Sequence, residues 1–227
     1  ALEIAKSEWV YFLGDSKIPS DDAIDTIAND VKNNKNIASI VYKSKNFNRD
    51  SIYINNIKEI SSNNLYFGDF LLGGNSVFRK QTINAYFAIA TQFTITRSIL
   101  PIFHFLALKD NKTVYISNKE IIKAFIEKPD YYNPGLSLIE CWSQFPLLAN
   151  LPIDKNEKKY LIQNIIKNES FKDRLVFYKF CLINIFRENI DISFNLKALL
   201  SYRYIFNSIS LEKFVIYCLY VISKINT

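Results

Sequence analysis

Few residues in this chain are of the kinds that do covalent chemistry. Ser16 lies in the turn Gly14-Asp15-Ser16, directly after the run Glu8-Trp9-Val10-Tyr11-Phe12-Leu13, which reads as a buried strand. A hydroxyl at that place suits a nucleophile, because ligands of open α/β sheets gather at the carboxyl ends of strands. A serine nucleophile needs a base, and the chain holds a single histidine, His104. Ser16 with His104 is therefore the one Ser/His pair that could perform hydrolysis. One histidine excludes any multi-His metal site. Cys141, Cys181 and Cys218 lie about forty residues apart with no Cys-x-x-Cys, a pattern of buried thiols rather than of zinc ligands or a disulfide framework. No cofactor is expected.

Three short patterns carry resemblances. Phe12-Leu13-Gly14-Asp15-Ser16 resembles the first sequence block of the GDSL-type (SGNH) esterases, which implies Ser16 as nucleophile. Gly73-Gly74-Asn75-Ser76 is similar to that family's oxyanion donors, but the aspartate that follows the asparagine is absent. The family's Asp-x-x-His near the C-terminus is also missing, since no histidine follows His104. The plainer reading of the first block is an ordinary turn. Arg97 and His104 are spaced as in the Arg-x4–6-His motif of helical HEPN-type ribonucleases, which implies RNA cleavage. Here the intervening Ser-Ile-Leu-Pro-Ile-Phe is apolar and contains Pro101, a helix breaker, so a hydrogen-bonded core histidine explains the letters as well. Pro129-Asp130 with Glu140 resembles the PD-(D/E)xK nucleases. The lysine that orients water in that family is replaced by Trp142.

The other candidate site is electrostatic. Residues 1–150 carry 16 basic and 15 acidic side chains, whereas residues 151–227 carry 12 and 7, so nearly all of the +6 net charge falls in the last third. Lys155, Lys158 and Lys159 open one expected helix. Lys172, Arg174, Lys179 and Arg187 follow on the next, and Lys197 and Arg203 on a third, with Tyr202 and Tyr204 beside Arg203. On one face these would attract phosphates or an acidic protein, with tyrosines for stacking. Against this, an ordinary solvated bundle face has the same spacing, and genome bias toward Ile, Asn, Lys, Tyr and Phe could supply part of the charge. Arginine, the better fork for phosphate and base edges, makes up only 6 of the 28 basic residues.

The elements that must position these residues follow from periodicity and punctuation. Strand 8–13, a helix capped by Ser20 with a stripe of Ile24, Ile27, Ala28 and Val31, and strand 37–42 suggest a βαβ unit with two parallel strands. Short strands are expected at 51–55, 65–67 and 113–116, with a turn at Gly73-Gly74-Asn75. Helices are expected from about 80, broken near Pro101, and over 118–126. Beyond Pro152 the pattern is helical throughout, with a capping box of Asp154 and Glu157 opening 155–167. Later helices are read at 170–188, 194–207 and 210–225. The segment 175–186 is apolar nearly all round and reads as the central helix of a bundle.

The chain is thus expected to be α+β: an N-terminal α/β part (1–130) with a small mixed, partly parallel sheet, a proline-punctuated connection (131–153), and a helical part (154–227). Half the residues are apolar and 15% aromatic, which excludes a disordered chain. With 5 glycines, a phosphate-cradling loop has little to draw on. The longest apolar run, Phe214 to Ile222, is nine residues, short of the roughly twenty that span a bilayer. Residues 1–30 lack a signal-peptide pattern, so a cytoplasmic protein is expected. The function read from this is a non-catalytic binding protein engaging a protein or nucleic acid through the basic helices. A hydrolase using Ser16 is the alternative.

Overall fold

A computed structural model of the chain describes residues 6–14, 17–43, 50–63, 65, 70, 74–96, 99–125, 133, 135–136, 139, 150–167, 171–201 and 211–226, side chains at 61, 94–96, 124–125, 162–167 and 171–174 excepted. The chain divides into two compact units, Ala1–Thr94 with Ser98–Pro129, and Ile95–Arg97 with Asp130–Thr227. The fold is α+β.

In the order of the chain, the first part contains β1 (Trp9–Phe12), β2 (Lys17–Pro19), α1 (Ala23–Asn33), β3 (Ile37–Tyr42), β4 (Ile52–Ile54), α2 (Lys58–Ser62), β5 (Ser76–Arg79) and α3 (Lys80–Ala90). A 3-10 segment (Thr91–Thr96), α4 (Ile99–Lys109), β6 (Thr113–Ser117) and β7 (Ile122–Phe125) complete it. One mixed sheet runs in the order β1-β5-β3-β6-β4, and β2 pairs with β7 in a separate antiparallel ribbon. The parallel pair is β3 with β6, in which Ile40 stands opposite Tyr115; the other ladders of the large sheet are antiparallel.

The run β1-α1-β3 therefore differs from the expected βαβ unit. Its two strands share a direction, but β5 lies between them, antiparallel to both. A crossover helix sets the relative direction of the strands it joins and leaves a slot that a third strand can fill. All six residues of β3 are buried, as expected for a strand covered on both faces. On one face α1 packs through Ala23, Ile27 and Val31 over Ile40, Tyr42, Val77 and Tyr115. On the other, Phe78 meets Phe103 of α4 edge-on, with ring centroids 5.6 Å apart.

Three local expectations are corrected by the tertiary structure. The stripe on α1 is rotated: Ala23 and Asp30 are buried, while Ile24 is 68% exposed. Ala23 is small enough to bring the helix close to the sheet, and Lys119 neutralises Asp30. Residues 122–125, expected as helix, form β7, because β2 offers an edge to pair with and local propensity yields to it. Pro101 lies in the first turn of α4, where no backbone donor is lost, and the helical run is instead interrupted by the 3-10 segment before it. Asn111, in the left-handed region at φ 53°, ends α4. Its N–H bonds to the Leu108 carbonyl at 3.1 Å, and that of Lys112 to Ala107 at 2.9 Å, a Schellman cap.

The second unit contains α5 (Lys155–Lys167), α6 (Phe171–Phe186), α7 (Ser193–Ser201) and α8 (Leu211–Ile225). Asp154 Oδ1 accepts the N–H groups of Asn156 (2.7 Å) and Glu157 (3.1 Å), so the expected cap opens α5. Asp191 Oδ1 does the same for Ser193 at α7. Part of the stretch 131–153 packs into this unit. Asn133 Nδ2 donates to Asn184 Oδ1 at 2.8 Å, and Gly135 lies so close to the Phe180 ring that a Cβ would fall 2.7 Å from it. Contrary to expectation, α6 is not buried all round. Phe177, Cys181, Asn184 and Ile185 form its inner stripe, and Leu175, Val176, Leu182 and Phe186 are exposed. Apolar residues on every side show that a helix can be enclosed, not that its neighbours enclose it. Among the described residues, α4 is buried all round from Pro101 to Leu108.

Candidate functional site

His104 is held in the middle of α4 and is fully buried. Ser39 Oγ of β3 lies 2.8 Å from its Nδ1, and Ser76 Oγ of β5 lies 3.2 Å from its Nε2. A neutral imidazole has one N–H and one bare nitrogen, so one serine accepts from the ring and the other donates to it. Phe78 covers the ring at 4.4 Å between centroids, and Phe70 meets it edge-on at 5.4 Å. Desolvation by this apolar surround holds the imidazole pKa down at about 3, so the ring is neutral across physiological pH. Both nitrogens are thus engaged by strands of the sheet. The geometry ties a helix to two neighbouring strands, and it offers no nitrogen to a further hydroxyl. Ser16, the intended nucleophile, lies outside the described residues, as do Arg97, Asp130, Glu140, Cys141 and Trp142.

A second polar group gathers at the carboxyl ends of the parallel strands, where sheet ligands commonly bind. Asp30 of α1 is 3% exposed and ion-pairs with Lys119, which follows β6. The Tyr42 phenol, also buried, is driven far above the usual phenol range by desolvation and by the Asp30 carboxylate beside it. The chain is stitched here by Tyr42 N–H to the Asn75 carbonyl (2.7 Å) and by Lys43 N–H to that of Lys119 (3.0 Å). Tyr11 donates its hydroxyl to the Gly74 carbonyl at 2.9 Å. Burial lowers the pKa of Lys17, whose methylene groups lie against Gly74. Asp30 and Lys119 neutralise one another, and together these bonds fasten α1 and the segments after β3 and β6. Among the described residues, no group of three or more His, Cys, Asp or Glu side chains could hold a metal ion.

The helical unit has a different surface. Lys155, Lys159, Lys179, Arg187 and Lys197 are exposed, and Lys158 is half-buried. Lys172 and Arg174 lie in the first turn of α6 with side chains outside the described residues, and Tyr202, Arg203 and Tyr204 lie outside them altogether. Interleaved with these cations are large apolar side chains. On α6 the exposed row Leu175, Lys179, Leu182, Phe186 follows helical spacing with one cation inside it. Phe194 on α7 is 80% exposed, and α8 exposes Leu211, Phe214, Tyr217, Val221 and Ile225.

Sequence reasoning picked out the charges of this unit and missed its exposed apolar residues, because it assigned every apolar stripe to the core. The signal was present in α8, which repeats apolar residues at 211, 214, 218, 221 and 225, a second stripe besides the one that packs inward. The chain matches no protein-family model and no curated protein.

Proposed function

We propose that the protein is a binding module that engages an acidic protein partner through the outer surface of its helical unit. The observation that supports this reading most is that α6, α7 and α8 expose aromatic and aliphatic side chains and on the same helices expose Lys179, Arg187 and Lys197. Large apolar groups clustered at a surface cost free energy unless a partner removes them from water. Cations around them favour carboxylates on that partner and speed the encounter. Nucleic acid fits less well: phosphate contacts call for polar, basic surface, and these helices also expose Phe194, Leu211 and Ile225. A hydrolase reading finds no support in His104, whose ring nitrogens face Ser39 and Ser76.

The test is site-specific photocrosslinking in cells that make the protein, with benzoylphenylalanine at Phe194 or Phe186, and at Tyr53 on β4 as a control. A discrete protein adduct from the helical positions, absent at Tyr53 and weakened by Lys179→Glu with Lys197→Glu, is expected. Adducts at Tyr53 alone would overturn the reading. So would salt-sensitive binding of a generic oligonucleotide in the absence of any protein adduct.

A further inference from the structure

The ribbon of β2 and β7 stands apart from the large sheet. Its strands pair with each other and, among the described residues, with no strand of the five-stranded sheet. The ladder is short and imperfect, with a register shift between Ile18 and Pro19 and a proline that brings no N–H. A two-stranded ribbon is marginal by itself, so what holds it down comes from outside. One end is anchored. Ser20 N–H bonds to the Ile121 carbonyl at 2.9 Å, Ala23 N–H bonds to the Ser20 carbonyl at 3.0 Å, and Ile121 is buried in the core beneath α1. At the far end Lys17 stands opposite Phe125 and its N–H makes a turn bond to the Gly14 carbonyl at 3.1 Å. Lys17 and Ile122 both rest on Gly74, where an added Cβ would fall 2.6 Å from Lys17 Cδ and 3.3 Å from Ile122 Cδ1. Gly74 precedes Asn75, whose carbonyl accepts the N–H of Tyr42, the last residue of β3. The ribbon thus covers the turn at the carboxyl end of a parallel strand.

The residue that closes the far end is a costly choice for the closed state. Lys17 lays its methylene stem along Gly74, and this carries its Nζ out of reach of water. Burial lowers the Lys17 pKa, because an amine taken from water is disfavoured in its charged form. Opening the ribbon restores hydration to that amine and offsets part of the packing that is lost. We infer that β2 and β7 form a strap, pivoting about Ser20 and Ile121, that opens as one unit ahead of the five-stranded sheet and uncovers the Gly74 turn and the Lys17 amine. Its place gives the device a purpose, since ligands of α/β sheets bind at the carboxyl ends of parallel strands. An apolar side chain of the same length would hold the strap shut, whereas lysine keeps it poised. The strap is independent of the binding surface on the helical unit.

Hydrogen exchange of the whole chain, read by mass spectrometry at neutral pH, tests this. Segments 17–20 and 121–125 should share one level of protection, about tenfold or more below that of 37–42 in β3. Lys17→Met keeps the stem and removes the amine, so it should raise protection of both ribbon segments about tenfold and leave 37–42 unchanged. No change, faster exchange, or a gain confined to β2 overturns the inference. An equal gain in β3 also overturns it, because the buried amine would then weigh on the whole fold and not on the strap. The unaltered protein gives a second reading that needs no variant. Acetylation by an N-hydroxysuccinimide ester should modify Lys17 about tenfold or more slowly than the exposed Lys32, yet proceed while the β3 amides stay protected. A Lys17 rate equal to that of Lys32 would show an amine already in water. Modification only in step with β3 exchange would show that the ribbon opens with the whole fold. Either result overturns the strap.

Discussion

Ser39 and His104, 65 positions apart in sequence, are joined by a 2.8 Å contact between a strand hydroxyl and Nδ1 of a buried imidazole. With Ser76 on the other nitrogen, this places a polar three-residue link between α4 and adjacent strands β3 and β5. A fully buried histidine is stable there only because both its nitrogens are satisfied and its proton count is fixed at one.

The link makes folding stability depend on pH. The folded-state pKa of about 3 lies below the unfolded value near 6.5, so the unfolded chain binds the extra proton first as pH falls. The contribution is fully present above pH 6.5 and is lost as pH drops from there toward 3. Urea denaturation should show a loss of about 2 kcal/mol between pH 8 and pH 5 attributable to this residue. His104→Asn, less stable at every pH, should lack that part of the slope. An identical slope in both proteins would mean that the ring is solvated.

Removing one hydroxyl leaves a ring nitrogen unsatisfied in an apolar surround. Ser39→Ala and Ser76→Ala should each cost about 1–2 kcal/mol, the former more because its contact is shorter. The two losses should not add in the double variant, since a histidine deprived of one partner can change tautomer toward the other. Chemical denaturation of the four proteins measures the coupling.

At the ion pair the two partners differ in exposure: the Lys119 side chain is 47% exposed and that of Asp30 5%. Lys119→Met strands a buried carboxylate and should cost about 2 kcal/mol, whereas Asp30→Asn leaves a lysine that can turn to water and should cost less. Combining the two should recover much of the loss. A larger effect from Asp30→Asn would show that the Tyr42 and backbone neighbours, not the charge pair, hold this corner.

Gly74 has φ +97°, and an added Cβ would stand 2.6 Å from Lys17 Cδ. Gly74→Ala should lower stability by roughly 1–3 kcal/mol, chiefly through backbone strain, since the lysine methylene can move aside. A neutral result in thermal melting would place the turn elsewhere.

The thiols report burial directly. Desolvation raises the Cys181 pKa to about 12, and Cys181 is fully buried, whereas Cys218 of α8 is half-buried. Iodoacetamide at pH 8 should modify Cys218 in the native protein and spare Cys181 until denaturant is added.

What the letters determined by themselves were the elements whose signals are local. The Asp154 cap and the helix it opens, the strand at Ile37–Tyr42 and the α8 helix all depend on spacing and capping within a few residues. The concentration of positive charge after residue 150 is likewise a property of composition. Pairing and burial were decided only in three dimensions. β5 inserts between β1 and β3, and β2 turns residues 122–125 into a strand, because ladder hydrogen bonds come from segments far away in sequence. His104 could not be told from a catalytic base by its letter. Its environment of Ser39, Ser76, Phe70 and Phe78 comes from two strands and a distant residue, and that enclosure is what sets its protonation. Periodicity likewise showed that α6 is apolar nearly all round, but only the packing of its neighbours decided which side met water.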